Sequence, residues 1–175
     1  MKRTMQNLKT LKITDDSGFL GIVNTDTYKS FVSEAWELSQ LFGHFIDEIN
    51  NDHLILWATR AENVWTVNFA SKPSEIKSFR EFCKTIEVTN GKIFLTNYED
   101  LTIAAQNDDE KIPAEHNADL SIDLDNGRYE FQIRQLFDPE DNNYEPEGKV
   151  NFEIVVQADA NKKSQHIDKV FLSTQ

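Results

Sequence analysis

Carboxylates dominate the chemistry this chain has to offer. Thirty acidic residues stand against eighteen basic ones, and the excess is local. Between positions 97 and 147 fifteen acids meet only Lys111, Arg128 and Arg134, while outside that window fifteen acids meet fifteen bases. Such a lobe suits paired acid–base catalysis, hard-cation binding or an electrostatic face for a basic partner. It disfavours direct nucleic-acid binding, because phosphate contacts require a basic footprint.

The catalytic and metal options are thin. So many acids guarantee some close pairs, so proximity alone does not mark a glycosidase-like couple. The acidic run 138 to 148 holds Asp138, Glu140, Asp141 and Glu145, but it lacks the central glycine and terminal glutamate of a calcium loop. It reads as a mobile, solvated loop with two prolines. The glycines at 18, 21, 43, 91, 127 and 148 write neither a phosphate loop nor a dinucleotide fingerprint. His44, His53, His116 and His166 have no metal-ligand spacing, and one cysteine cannot build a zinc site. No cofactor and no metal are expected. Cys83, beside Phe79 and Phe82, reads as a small core hydrophobe rather than a nucleophile.

The elements that must position these groups follow from hydrophobic periodicity. Residues 10 to 23 predict a strand or short hairpin around Asp15, Asp16, Ser17 and Gly18. Tyr28, Phe31, Val32, Ala35, Phe42, Phe45, Ile46 and Ile49 recur at helical spacing and predict a helix over 27–50, with Gly43 as a possible break. Leu54–Ala58 and Val64–Phe69 read as a hairpin, with Trp65, Val67 and Phe69 on one face. A second short helix is expected from Ser74, carrying Ile76, Phe79 and Phe82 behind Pro73.

Two Asn-Gly dipeptides predict tight hairpins. At Asn90-Gly91, Val88 pairs with Ile93 and Ile86 with Leu95. At Asn126-Gly127, Leu120, Ile122 and Leu124 face Ile133, Phe131 and Tyr129, and that face is core. This second register sets Asp123 opposite Glu130, a like-charge pair that destabilises a sheet unless it is compensated. A self-screened ladder with Arg128 and Arg134 is the plain reading, and a basic partner is the functional one. Val150–Val156 and Lys169–Leu172 add further strands. The whole, 1–175, is expected to be one α+β, β-rich domain of antiparallel hairpins. These would form a sandwich or a curved sheet with one or two helices packed on it.

Two stretches carry a resemblance: a helix leading into Leu54-Ile55-Leu56-Trp57, and the run Leu124-Asp-Asn-Gly-Arg-Tyr-Glu-Phe-Gln-Ile-Arg. Over 52–69 and 119–136 the chain resembles bacterial toxin-immunity proteins and the competence-nuclease inhibitor family. In that family a β-rich cytosolic protein masks a toxic or DNA-degrading enzyme. The resemblance implies inhibition by masking of a basic toxin or nuclease, with no catalysis. The charge map independently favours a basic protein partner, engaged through Asp123, Glu130, Asp138, Glu140 and Asp141. Aromatic anchors are expected beside them, at Phe137, Tyr144 and Tyr98.

The competing reading is a small-molecule-binding or hydrolytic domain with a pocket between sheet and helix, near Trp36, Trp57 and Trp65. The single cysteine, the charged N-terminal stretch and the lack of a long apolar run lead to an expected cytoplasmic location away from membranes.

Overall fold

The computed structural model describes residues 7–158 and 165–173, so part of the polar stretch 158–168 lies outside the described residues. Nine strands and two helices follow in the order β1 (Asn7–Asp15), β2 (Phe19–Val23), α1 (Leu38–Asn50), β3 (Leu54–Ala58), β4 (Asn63–Ala70), β5 (Arg80–Val88), β6 (Lys92–Asn97), α2 (Tyr98–Gln106), β7 (Ser121–Asp123), β8 (Gly127–Gln135) and β9 (Phe152–Ala158). They build two sheets, a five-stranded one in the order β1-β4-β9-β8-β5 and a four-stranded one in the order β3-β2-β6-β7. The α+β, β-rich class read from the sequence is the class observed. Among the described residues seven ladders form, of which β4–β9 is the parallel one.

The four-stranded sheet lies between two apolar layers. Its inner face shares a core with the larger sheet through Leu20, Ile22, Ile55, Trp57, Ile93, Leu95 and Ile122. Its outer face carries Val23, Leu54, Leu56 and Phe94 beneath Leu41, Phe45 and Ile49 of α1 and Leu101, Ala104 and Ala105 of α2. Burial on both faces explains why β3 reads Leu-Ile-Leu-Trp-Ala without alternation.

None of the three short hairpins forms. β3 and β4 belong to different sheets, as do β5 and β6 and also β7 and β8. Each turn therefore carries the chain across the core. The apolar pattern was legible all the same: Ile86, Val88, Ile93 and Leu95 meet in one core, but across the sandwich rather than on one sheet face. The two Asn-Gly turns pack on each other instead, with the Gly91 amide donating to Asn126 Oδ1 at 2.8 Å and the Leu124 amide to the Gly91 carbonyl at 3.0 Å. β8 and β9 are the true neighbours in sequence and space. The acidic loop is what joins them.

Both helix expectations change. Residues 24–37 are not helical, because the Val32 and Ser33 amides donate to the Ala105 carbonyl at 2.8 and 3.1 Å and so complete the last turn of α2. Helix α1 starts at Leu38 behind a Glu37/Gln40 capping box and runs through Gly43 unbroken. The stretch from Ser74 is held across the outer face of the larger sheet. There Arg134, paired with the buried Glu153, also donates to the Ile76 carbonyl, and the Ser74 amide donates to Glu153 Oε1 at 2.9 Å. Phe82 and Cys83 lie in β5, and Cys83 is exposed rather than core. Of the expected last strand, Phe171 makes a single parallel bridge to Trp57.

One carboxylate joins the β1–β2 turn to the β3–β4 connection, at the end of the sandwich called the upper end from here on. Asp15 is fully buried, and its Oδ1 accepts from the amides of Ser17, Gly18 and Phe19 at 3.2, 2.7 and 3.1 Å. Its Oδ2 accepts from Thr59 Oγ1 at 2.6 Å and Trp65 Nε1 at 2.8 Å. Gly18 takes φ +84°, which the tight wrap around the carboxylate requires. Asp15→Ala strands these donors and is expected to cost about 4 kcal/mol, while Asp15→Asn, which keeps the acceptor for the turn, costs about 2 kcal/mol. The urea midpoint at unchanged slope checks both values.

Tyr28 contributes to the alkaline loss of stability. Burial, with Glu48 nearby, pushes its hydroxyl well above the ordinary 10.0. Above pH 10 the unfolded chain loses this proton and the folded chain keeps it, so stability falls as pH rises. Urea unfolding at pH 8 and pH 11 should show a smaller loss in Tyr28→Phe than in the parent chain.

Candidate functional site

The acidic loop is fixed at its base by a buried asparagine. Asn151, fully buried, accepts from the Thr66 amide at 2.7 Å through Oδ1 and donates from its own amide to the Thr66 carbonyl at 2.9 Å. Its Nδ2 donates to the Tyr144 hydroxyl at 2.7 Å and to the Pro146 carbonyl at 3.2 Å. One side chain thus ties the loop to β4 and to its own descending limb.

A stack of rings holds the other limb. Phe137 lies between Trp65 and Tyr144, each ring centroid 4.8 Å away and nearly parallel at 20° and 8°. Lys149 Nζ sits 5.0 Å from the centre of the Tyr144 ring. Within the loop, Asp138 Oδ1 accepts from the Glu140 amide at 2.9 Å, and Asp141 Oδ1 from the Asn143 amide at 3.0 Å. These contacts tie both limbs of the loop expected to be mobile to the sheet and leave Asp138, Glu140 and Asp141 facing solvent. Phe137, 5% exposed, supports it from within, and half-buried Tyr144 links core and loop.

The other two carboxylates lie elsewhere. Asp123 stands across from Lys92 on the β6–β7 ladder, and Glu130 stands between Thr85 of β5 and Gln157 of β9. The register that faced them with each other is therefore corrected. Arg128 reaches Asp52 Oδ2 at 3.1 Å rather than a ladder partner on β7. At about 3.3 Å per residue along β8, Glu130 lies about 16 Å and the strand's first residue, Gly127, about 26 Å from Gln135 at the end that leads to the acidic loop, and Asp123 precedes that first residue. Phe137, Asp138, Glu140, Asp141 and Tyr144 come together at the upper end; Asp123 and Glu130 do not join them.

Beside the loop, a groove of about 670 Å³ opens between α1, the β1–β2 turn, the β3–β4 connection and the C-terminal segment. Phe19, Phe42 and Tyr98 form its aromatic part, with Phe19 centred 5.9 Å from Phe42 and 5.5 Å from Tyr98. Burial and the neighbouring Glu99 push the Tyr98 hydroxyl up. Arg60 lines the groove from a left-handed backbone, φ +66°, and its Nη2 reaches Glu140 Oε1 at 3.2 Å. Arg60 is therefore the wall shared by groove and acidic loop.

Sequence reasoning found Tyr98 but missed Phe19, Phe42, Arg60 and Asn151. None of these has a local signature, and four separate segments bring them together. The groove does lie between sheet and helix, but no tryptophan lines it. Trp57 and Trp65 belong to the inter-sheet core, and Trp36 packs against the helical layer.

Two solved structures are similar to this chain. The crystal structure of ComJ from Bacillus subtilis, inhibitor of the DNA degrading activity of NucA, is 12% identical with a TM-score of 0.47. The match covers 89% of this chain and 98% of that one. The structure of crocagin biosynthetic gene J is 10% identical with a TM-score of 0.54, over 90% of this chain and 99% of that one. At 10% identity the second likeness shows the fold alone and carries no side-chain correspondence. No family model matches the chain, and no curated protein matches it. Among the described residues no helix is long and apolar enough to cross a membrane.

Removing the base of the loop tests its order. Asn151→Ala is expected to cost about 2 kcal/mol, from the Thr66 amide and Tyr144 hydroxyl left without their partner. Amide exchange over 138–148 should accelerate at least tenfold while β2 amides keep their protection.

Proposed function

We propose that this chain is an immunity-type inhibitor acting in the cytoplasm, which masks a basic toxin or nuclease by laying its upper end over the partner's cationic cleft. The observation that supports this reading is the ordered presentation of Asp138, Glu140 and Asp141. Asn151 and the Trp65–Phe137–Tyr144 stack hold these carboxylates on a fixed platform. An interface whose charged groups are already placed loses less side-chain and loop freedom on binding, and its field speeds encounter. The interface narrows to the upper end, with Tyr144 at its margin, and leaves Asp123 and Glu130 outside the contact.

The tagged protein, captured from its native cells at low and high salt, is expected to retain one basic protein in stoichiometric amount at low salt. The triple variant Asp138→Lys, Glu140→Lys, Asp141→Lys should slow association with that partner about tenfold and flatten its salt dependence. Asp123→Lys should leave the rate unchanged. A partner that binds the triple variant at the parent rate removes the reading.

A further inference from the structure

We infer that the aromatic groove at the upper end seats an apolar side chain of the protein partner, while a basic residue next to that anchor meets Glu140 and Glu62. This rests on the masking reading above and names the chemistry of the partner. The groove is large enough for one or two aromatic side chains at about 670 Å³. Its charged lining residues, Arg60, Glu62, Asp168 and Lys169, are all exposed, whereas Phe19, Phe42 and Tyr98 are half-buried. An apolar floor inside a charged rim is the anatomy of a protein hot spot. Leu38, 54% exposed, lines the groove from the first turn of α1.

Arg60 couples the two halves of the surface. Its guanidinium is both groove wall and the cation already bound to Glu140. A basic residue arriving at the acidic loop replaces Arg60 at Glu140, and the side chain beside it then lies over the groove. The mixed rim, two cations and two carboxylates, suits a peptide segment with its own dipoles better than a small ion of one sign.

The groove is probed directly with N-acetyl-tryptophanamide and the N-acetylated dipeptide amides arginyl-tryptophan and glutamyl-tryptophan, titrated into the ¹⁵N-labelled full chain. Millimolar binding with shifts at Gly18, Phe19, Phe42 and Ala61 is expected. The arginyl dipeptide should bind roughly threefold more tightly than the glutamyl one, the size of an exposed ion pair. Glu62→Gln with Glu140→Gln should erase that preference. Leu38→Asp should weaken all three probes at least tenfold at an unchanged melting temperature, since an acid at a helix start favours the helix.

Shifts that are absent or lie elsewhere overturn the inference, as do equal affinities of the two dipeptides for the parent chain. Micromolar saturation by tryptophanamide alone also overturns it and marks a small-molecule pocket. A captured partner that binds Leu38→Asp at parental strength removes the anchor and leaves the masking reading standing. Probes that bind the groove of a protein with no basic partner remove the masking reading instead.

Discussion

The buried carboxylate of Asp15 is the interaction on which the upper end of this molecule depends. It closes the turn between β1 and β2, holds Thr59 at the start of the β3–β4 connection, and accepts the indole proton of Trp65. Two sheets are joined through a single side chain. The buried carboxylate is tolerated because five donors surround it. The groove, Arg60 and the stack beginning at Trp65 all inherit their positions from this arrangement.

The sandwich is built from turns that cross its core. A tight turn between strands of one sheet satisfies hydrogen bonds locally. A turn between sheets leaves each strand to find its partners among distant segments, here β2 with β6 and β5 with β8. The C-terminal segment completes one side. Asn50 clamps both backbone groups of Ile167 at 2.9 Å, the Ala58 amide donates to the Phe171 carbonyl at 3.0 Å, and Phe171 stacks on Phe82 of β5. The exposed edge of β3 is covered in this way, which also forms one wall of the groove.

Charge excess and charge placement are separate properties. The fifteen acids of the 97–147 window are contiguous in sequence, yet the fold divides them between the ends of β8 and the region around α2. Several are consumed structurally. Asp100, 3% exposed, is paired with Asn117 at 2.7 Å and His116 at 3.1 Å. Glu99 binds the Ser17 hydroxyl and the Asp16 amide. What remains at the upper end is a small, ordered set beside an aromatic groove, a surface more selective than a diffuse acidic lobe.

Within the alternating strands, the sequence by itself determined which side chains face a core, whereas Cys83, read as core, is exposed. Trp65, Val67 and Phe69, Ile86 and Val88, and Ile122 with Phe131 and Ile133 are buried as their alternation requires, because a side chain's face follows from the local period of two. The acidic loop and its aromatic neighbours were legible for the same local reason. Hydrogen-bond partners were not legible, since either an in-sheet or a cross-core turn satisfies the same alternation and the same Asn-Gly dipeptide. The helix expected from residue 27 failed because α2 offered the Ala105 carbonyl to that segment, a competitor visible only in three dimensions. Tertiary structure alone decided that Asp123 and Glu130 part company and that Arg60 meets Glu140. Pairing across such distances in sequence is set by how the two sheets pack, not by any residue's own preference.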